Sequence, residues 1–308
     1  MDATSRLPAE DPADLGLDLN DAERERAYSP SSCIGGNYQP FIAAYGEHSR
    51  AAREHTLALG ARWLDVRYGS GAAQRMDLCL PPAPAPGGAG LLVFIHGGYW
   101  QELSARDSLF AAAPCAERGL AFCAIDYTLA PAATVAGIVA ECRAALRFLA
   151  EQGSQCGIDP ARIVIAGSSA GAHLAAMVCL PSWRNGEQEQ PRALHPLGAV
   201  LLSGIYQLQP LVGTSINDAL GLDARQARSQ SPLLQSLRGF PPALVCWGEV
   251  ETPAFKAQSQ RFAAVLRAVR TDCVTLQAAQ RNHFDLALDL ADPGTALGRH
   301  TLGLLGAA

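Results

Sequence analysis

The sequence predicts an α/β fold, a three-layer sandwich in which a mostly parallel sheet of eight strands lies between helices. From residue 91 onward, short apolar runs alternate with helical patterns. Continuous apolar runs are typical of strands buried on both faces, and their alternation with helices indicates a parallel sheet. The chain has 308 residues, of which 49% are hydrophobic and 17% charged, so it can bury a large core.

The N-terminal region is expected to be helical and to precede the sheet. Asn20 or Asp21 can cap a short helix that continues to Arg26, and the Ser29-Pro30-Ser31 sequence breaks it. Residues 40–59 mix apolar and charged side chains at helical spacing, which predicts a second helix.

Eight apolar runs are predicted to be strands. The first two are joined by a Gly-Ser-Gly turn and favour a hairpin-like pair, and a Pro- and Gly-rich connection at 81–90 follows them. The runs lie at residues 63–69, 75–80, 91–96, 120–126, 162–167, 198–204, 242–248 and 272–277. The helical patterns between them lie at residues 105–118, 132–152, 170–180 and 253–270.

Composition excludes several classes of protein. The net charge of −5 argues against a nucleic-acid surface, which usually carries a basic patch. The sequence has no run of about 18 apolar residues, so a membrane span is not expected. The acidic residues 1–26 lack the apolar core of a secretory signal. Nine cysteines without a CxxC pair indicate reduced thiols rather than disulfides or structural zinc.

A serine nucleophile is indicated by the segment Gly167-Ser168-Ser169-Ala170-Gly171, which matches G-x-S-x-G. One match arises by chance roughly once in six such chains, so the context decides. The apolar run RIVIA precedes the motif and an alanine-rich helical pattern follows it. A strand–turn–helix setting is what a nucleophile held in a tight turn requires, which favours Ser169. The alternative is a Gly/Ser turn without chemistry.

An oxyanion hole is predicted from the glycine pair that follows the strand at 91–96. The backbone N–H groups of Gly97 and Gly98, together with that of Ala170, could stabilise the negative oxygen of a tetrahedral intermediate. An ordinary glycine turn is the alternative. His96 is expected to be a hydrogen-bonded structural residue.

The acid and base of a catalytic triad are expected after the last two strands. Glu251 lies three residues beyond Gly248 and is preferred as the acid over Glu249, and His283 lies in the loop after the final strand. The order Ser169, Glu251, His283 implies acyl transfer through a covalent intermediate, with His283 as the general base. We expect His173, one helical turn after Ser169, to be a packing residue.

These motifs make the chain similar to the α/β-hydrolases, and within them to the kynurenine formamidase (arylformamidase) group, near the hormone-sensitive-lipase-like esterases. The residues that carry the resemblance are HGGYWQ (96–101), DYTLAP (126–131), GSSAGAHLA (167–175), SGIYQLQPL (203–211), Asn217, Ser231-Pro232, GEVETPAFKAQS (248–259) and NHFD (282–285). Tyr99 stands where the esterases carry a third glycine, which points toward the formamidases. Glu251 stands where the family more often has aspartate, and either acid can orient a histidine.

The resemblance implies hydrolysis of N-formyl-L-kynurenine to kynurenine and formate, as in tryptophan degradation. A broad carboxylesterase acting on short acyl esters is the alternative, and a non-catalytic binding protein of the same fold is a third. An arylamine needs an aromatic slot, for which Tyr99, Trp100, Tyr206 and Trp183 are candidates, with Asn217 as a polar contact. For each aromatic residue, plain packing in the core or rim is an equal alternative.

We expect a cap over the site, built from residues 28–60, 181–197 and 205–240, because these irregular segments flank the predicted strands. Residues 1–60 would then form an N-terminal segment contributing to the cap, and residues 61–308 the catalytic domain. The expected enzyme is cytoplasmic, acts on a small molecule, and needs neither a cofactor nor a metal. No nucleic acid or membrane is expected as a partner, and a homodimer stays open.

Overall fold

A single sheet forms the centre of the computed structural model, which describes residues 15–184 and 195–307. Its strands are β1 (Arg62–Arg67), β2 (Arg75–Leu80), β3 (Ala89–Ile95), β4 (Ala121–Ile125), β5 (Ile158–Ser168), β6 (Gly198–Leu202), β7 (Ala243–Val250) and β8 (Cys273–Asn282). They lie in the order β1-β2-β4-β3-β5-β6-β7-β8. β2 pairs antiparallel with both β1 and β4, and β3 to β8 run parallel. The predicted eight-stranded, mostly parallel sheet is confirmed.

Helices cover both faces of this sheet. Within the described residues they are α1 (Asp21–Ala27), α2 (Gln39–Ala58), α3 (Ala112–Ala116), α4 (Val135–Gln152), α5 (Ala170–Cys179), α6 (Pro181–Arg184), α7 (Asn217–Leu220), α8 (Ala224–Ser229), α9 (Pro253–Ala268) and α10 (Ala296–Leu304). Side chains of β3 alternate between the faces: Val93 packs in the cluster that contains α4, α5 and α9, whereas Phe94 packs in the cluster that contains α3 and α10. Both faces of the strand are buried, which explains its continuous apolar sequence.

Two helical regions differ from the expectation. Residues 105–118 form only one 3-10 turn (Ala105–Ser108) and the short α3, because the N–H of Leu109 donates to Ser49 Oγ at 2.8 Å instead of continuing a helix. The C-terminal helix α10 was not predicted. Thr295 caps it, accepting the N–H of Gly298 at 2.9 Å, and its apolar side packs on the sheet.

The N-terminal segment is fastened to the rest of the fold by buried polar contacts. Asn20, one of the two cap residues that the sequence allowed, caps α1 in a capping box with Glu23. Tyr28 is fully buried, and its hydroxyl donates to Leu15 O and accepts from Gln258 Nε2 on α9, both at 2.8 Å. Because a buried hydroxyl needs its partners, these bonds hold the segment in one position.

Two further expectations concern the burial of the cysteines and the presence of a membrane-spanning helix. Seven of the nine cysteines are buried, as expected for apolar positions. Among the described residues, no helix combines the length and the apolar character needed to cross a membrane.

The buried His173 on α5 predicts a pH dependence of stability. Its side chain is fully buried, its Nε2 lies 2.7 Å from Gln230 O, and burial lowers its pKa from 6.5 to about 4. The native state therefore binds fewer protons than the unfolded chain between these two values, and stability is lost as the pH falls through that window.

We expect the variant His173→Gln, which keeps a donor for Gln230 O but does not titrate, to be less sensitive to acid. Urea unfolding of the wild type should lose about 2 kcal/mol more between pH 7 and pH 5 than unfolding of the variant. Equal losses in the two proteins would contradict a neutral, buried His173.

Candidate active site

Ser169 occupies a sharp turn between a strand and a helix. β5 ends at Ser168 and α5 begins at Ala170, while Ser169 itself has φ 56° and ψ −120°, which is a strained conformation for a residue with a Cβ. The N–H of Ser169 donates to Leu202 O at 2.8 Å, which ties the turn to β6. The sequence therefore folds here as the strand–turn–helix that the motif predicted.

The glycines on either side of this serine are required by close packing. A Cβ on Gly167 would overlap the carbonyl oxygen of Gly171, and a Cβ on Gly171 would overlap the carbonyl oxygen of Ile95 on β3. The N-terminal end of α5 can approach the two central strands only because both side chains are absent. This approach brings Ser169 to the carboxyl ends of the strands.

The predicted oxyanion donors lie around Ser169. A Cβ on Gly97 would come within 3.2 Å of Ser169 Cβ, so the glycine backbone lies directly against the serine. Gly98 has φ 86°, a region that glycine enters without strain. Ala170 is the first residue of α5, and the first N–H groups of a helix have no acceptor within it.

The structure brings Glu251, and not Glu249, to His283. Glu251 is 5% exposed, and its Oε2 lies 3.3 Å from His283 Nδ1. Glu249 is exposed, and its Oε2 accepts the N–H of Gln280 at 2.8 Å. The imidazole of His283 packs edge-on against Phe255, with ring centroids 4.4 Å apart, which restricts its orientation.

Ser169, His283, Gly97 and Gly98 open onto one cavity of about 430 Å³. Aromatic rings form much of its wall: Tyr28, Tyr38, Tyr45, Phe94, Tyr99, Phe110 and Phe284. Most of these rings were not predicted to belong to the site, because α2 lies more than 200 residues before His283 in the chain and no local pattern links the two. The Tyr45 hydroxyl nevertheless donates to Phe284 O.

The predicted cap is represented in the cavity by two of its three segments. Residues 28–60 supply Tyr28, Ser29, Pro30, Ser31, Tyr38, Ile42 and Tyr45, and residues 205–240 supply Ser215 and Ile216. Of residues 181–197, the part at 185–194 lies outside the described residues, as does the side chain of Trp183.

A family model described as the alpha/beta hydrolase fold matches residues 92–284, which include Ser169, Glu251, His283 and the glycine turn after β3. The chain belongs to the α/β-hydrolase family. It is 29% identical to a kynurenine formamidase of Danio rerio over 92% of this chain and 96% of that protein. It is 27% identical to a kynurenine formamidase of Drosophila melanogaster (82% and 86%), and 28% identical to the esterase LipQ of Mycobacterium tuberculosis (79% and 64%).

Solved structures agree with this assignment. A candidate thioesterase from Silicibacter sp. superposes with a TM-score of 0.76 at 28% identity, covering 90% of this chain and 98% of the other. The carboxylesterase EstE1 from a metagenomic library shares the fold, with a TM-score of 0.70 at 22% identity over 89% and 98% of the two chains. The family match, the kynurenine formamidase relatives and these structures together show that the protein is a serine hydrolase.

His96 of the hydrolase has the surroundings of a structural residue. It is 1% exposed, its Nδ1 lies 3.0 Å from Gly97 O, and its ring stacks on Tyr127 with centroids 4.3 Å apart. Burial lowers the pKa of His96 to about 4, so the ring is neutral at pH 7. Its Nε2 has no hydrogen-bond partner among the described residues.

Of the four substrate-binding candidates whose side chains the structure describes, only Tyr99 lines the cavity. Tyr99 is partly buried in its wall, and its hydroxyl donates to Tyr28 O at 2.5 Å. Trp100 and Tyr206 are instead fully buried in the core: Trp100 packs edge-on against His173 at 5.0 Å. Large aromatic rings are drawn into the core because their burial removes much apolar surface from water.

Tyr206 and Asn217 are likewise corrected by the structure. The Tyr206 ring stacks on Phe262 of α9, with centroids 4.1 Å apart. The Asn217 amide closes a turn: its Oδ1 accepts the N–H of Leu222 at 2.9 Å and its Nδ2 donates to Leu222 O at 3.0 Å. Neither residue lines the cavity.

No pattern in the sequence indicated that Ser203 contributes to the site. Ser203 follows β6, is fully buried, and donates its hydroxyl to Glu251 Oε1 at 2.6 Å. The N–H of Gly248 donates to the same oxygen at 2.5 Å, so Oε2 is left for His283. Ser203 has φ 49°, an uncommon conformation for serine, and only this strained position in the fold distinguishes it.

No group of three or more His, Cys, Asp or Glu side chains is suited to hold a metal ion within residues 15–184 and 195–307. The polar side chains that line the cavity carry hydroxyls, carboxylates, imidazoles and the amide of Gln101. What this arrangement offers chemically is a serine at a strained turn, a histidine oriented by a carboxylate, and backbone donors beside them.

We expect Ser203→Ala and Ser203→Gly to lower kcat for a p-nitrophenyl ester by about tenfold, with KM nearly unchanged. The reason is that each variant removes a donor that orients the acid, at a position that does not touch the cavity. Because glycine tolerates φ 49°, the Gly variant should unfold at higher urea concentration than the Ala variant while losing as much kcat.

Ser231→Ala is the matched control for Ser203. Ser231 is also fully buried, and its hydroxyl donates to Ala227 O and accepts from Leu208 N, away from Glu251. The kcat of the Ser231→Ala variant should stay close to that of the wild type. If kcat follows the urea midpoint across all three variants, Ser203 has only a structural role.

Proposed function

We propose that the hydrolase cleaves aryl formamides, converting N-formyl-L-kynurenine to L-kynurenine and formate, with Ser169, Glu251 and His283 as its catalytic triad. The observation that carries this proposal is an aromatic-walled cavity of about 430 Å³ that opens directly onto Ser169. Its volume lies in the usual range for a pocket that takes one small ligand. The rings of Tyr38 and Phe284 stack on each other at 5.5 Å and offer a flat surface to an aromatic amine.

The relatives support the same substrate. Two kynurenine formamidases, from Danio rerio and Salmo salar, match at 29% and 28% identity over 92% and 94% of this chain. The matches extend over 96% and 98% of those proteins, so they include the N-terminal segment that walls the cavity. LipQ, in contrast, is matched over 64% of its length.

The reaction begins with attack of Ser169 Oγ on the formyl carbon. His283 takes the hydroxyl proton, and the carbonyl oxygen becomes an oxyanion that accepts hydrogen bonds from the N–H groups of Gly97, Gly98 and Ala170. The C–N bond then breaks, and His283 returns the proton to the departing arylamine. Water, deprotonated by His283, attacks the formyl ester of Ser169, which releases formate and restores the serine.

Glu251 orients the base in this scheme. Its Oε2 faces His283 Nδ1 at 3.3 Å, so Nδ1 carries the proton and Nε2 is free to accept one from Ser169. The carboxylate also stabilises the positive imidazolium that forms in each half-reaction. Because Ser203 and Gly248 hold Oε1, the carboxylate cannot rotate away.

A broad carboxylesterase is the second candidate. The observation in its favour is the similarity to LipQ, together with the 28% identical structure of a candidate thioesterase. The same serine, base and oxyanion donors would serve, because an ester and a formamide pass through similar tetrahedral intermediates. The two candidates therefore differ in the substrate, and not in the chemistry.

The substrate proposal predicts that kcat/KM for N-formyl-L-kynurenine exceeds kcat/KM for short p-nitrophenyl esters. The aromatic wall can hold the arylamine while the formyl group reaches Ser169, whereas a short ester fills only the catalytic end. Steady-state kinetics on both substrates with one enzyme preparation measure the ratio. An ester preference of about tenfold or more would remove the formamidase assignment and favour the second candidate.

The triad proposal predicts a defined pattern among variants. Ser169→Ala should lower kcat by about 10⁴-fold or more and Glu251→Gln by about 10²- to 10⁴-fold, because both take part in proton transfer or nucleophilic attack. Glu249→Gln makes the same chemical change two residues away and should retain wild-type kcat. Near-wild-type turnover of Ser169→Ala, or equal activity of the two Gln variants, would contradict the assignments.

A further inference from the structure

The cavity carries negative charge and no positive charge within the described residues. Glu25 and Glu102 both line it, whereas no lysine or arginine of residues 15–184 and 195–307 does so. The two imidazoles in its wall are His96, which burial keeps neutral at pH 7, and His283, which serves as the base. A cavity with two carboxylates and no cation in its described wall favours positively charged ligands over negatively charged ones.

Neither carboxylate is neutralised by an ion pair with a described residue. Glu25 accepts the N–H of Ser215 at 2.8 Å and the hydroxyl of the same residue. Glu102 accepts the Tyr38 hydroxyl at 3.3 Å. A carboxylate has about four acceptor positions, so each of the two keeps capacity for another donor.

Both glutamates are fixed by hydrogen bonds to neighbouring parts of the cavity wall. The N–H of Glu102 donates to Gly98 O at 3.0 Å, so its backbone belongs to the same turn as the oxyanion donors. Glu25 lies on α1, and its bonds to Ser215 join the N-terminal segment to residues 205–240. The ring of Tyr38 beside Glu102 adds an aromatic face, which also attracts a cation.

His96 lies in the wall of the same cavity and adds no positive charge to it. Its side chain is 1% exposed and lines the cavity, yet its Nε2 has no hydrogen-bond partner in the described chain. This nitrogen lies 3.9 Å from Asp126 Oδ1. Because burial keeps the imidazole neutral at pH 7, His96 does not offset the negative charge of Glu25 and Glu102 in the wall.

We propose that Glu25 and Glu102 bind an ammonium group on the arylamine side of the substrate, so that the hydrolase prefers a cationic aryl formamide. The inference rests on the proposed function and deepens it. N-formyl-L-kynurenine carries both an ammonium and a carboxylate, and in the described wall only the ammonium finds an opposite charge. The amine obtained by removing its carboxylate is therefore a better substrate than N-formyl-L-kynurenine itself.

The test compares four aryl formamides: N-formyl-L-kynurenine, its decarboxylated amine, its deaminated acid, and an uncharged formanilide with a ketone side chain of the same length. We expect kcat/KM to be highest for the amine and lowest for the acid, with at least a tenfold ratio between them. The ratio should shrink as salt is raised, because ions screen the attraction. A kcat/KM for the acid equal to or above that for the amine overturns the proposal.

Variants locate the effect in the two carboxylates. Glu25→Gln and Glu102→Gln each should lower kcat/KM for the amine, mainly through KM, by about threefold to tenfold more than they lower kcat/KM for the uncharged formanilide. Glu47→Gln removes the same charge from an exposed position on α2 outside the cavity and should change neither. Equal losses on the charged and uncharged substrates overturn the assignment of these residues.

Product inhibition separates failure of this inference from failure of the proposed function. If no formamide is cleaved while p-nitrophenyl esters are, the formamidase proposal fails. The inhibition constants of the deformylated amine and the deformylated acid against ester hydrolysis then test the charge preference directly. Tighter inhibition by the amine, lost in the Gln variants, supports the inference, and equal or tighter inhibition by the acid overturns it.

Discussion

The contact of α5 with β3 and β5 is the constraint on which the active site depends. The backbone at Gly171 lies against the carbonyl of Ile95, and Gly167 lies against Gly171 O, with no room for a side chain at either position. This packing forces Ser169 to φ 56° and aligns the start of α5 with the glycine turn after β3. One close helix–sheet contact thus positions the proposed nucleophile and the proposed backbone donors.

Hydrogen bonds from two strands fix the carboxylate of Glu251. Glu251 receives two short hydrogen bonds on Oε1, from the ends of β6 and β7, before its other oxygen meets His283. Parallel strands end at one edge of the sheet, which is why these groups converge although they are distant in sequence. The imidazole is oriented by an acid that the sheet itself holds.

The N-terminal segment forms one wall of the cavity at this edge of the sheet. It supplies aromatic rings and one of the two carboxylates of the wall, and it is anchored through the buried Tyr28 to α9 and the Tyr99 turn. The same segment has a mildly helical sequence with no chemical motif. Its place in the cavity wall therefore depends on where it docks, and not on any local pattern.

The sequence by itself determined the eight strands, the serine turn and the glycine pair, because each arises from local apolar periodicity or from a backbone conformation that needs glycine. The sequence also favoured Glu251 over Glu249, and the structure places Glu251 beside His283. Only the tertiary structure decided that Trp100 and Tyr206 belong to the core, and that Tyr38 and Phe284 share a wall. The physical reason is the long separation, along the chain, of the residues that make these contacts. Side chains that are neighbours in space here are separated by up to about 250 residues along the chain, and long-range packing alone determines which of several equivalent residues faces the cavity.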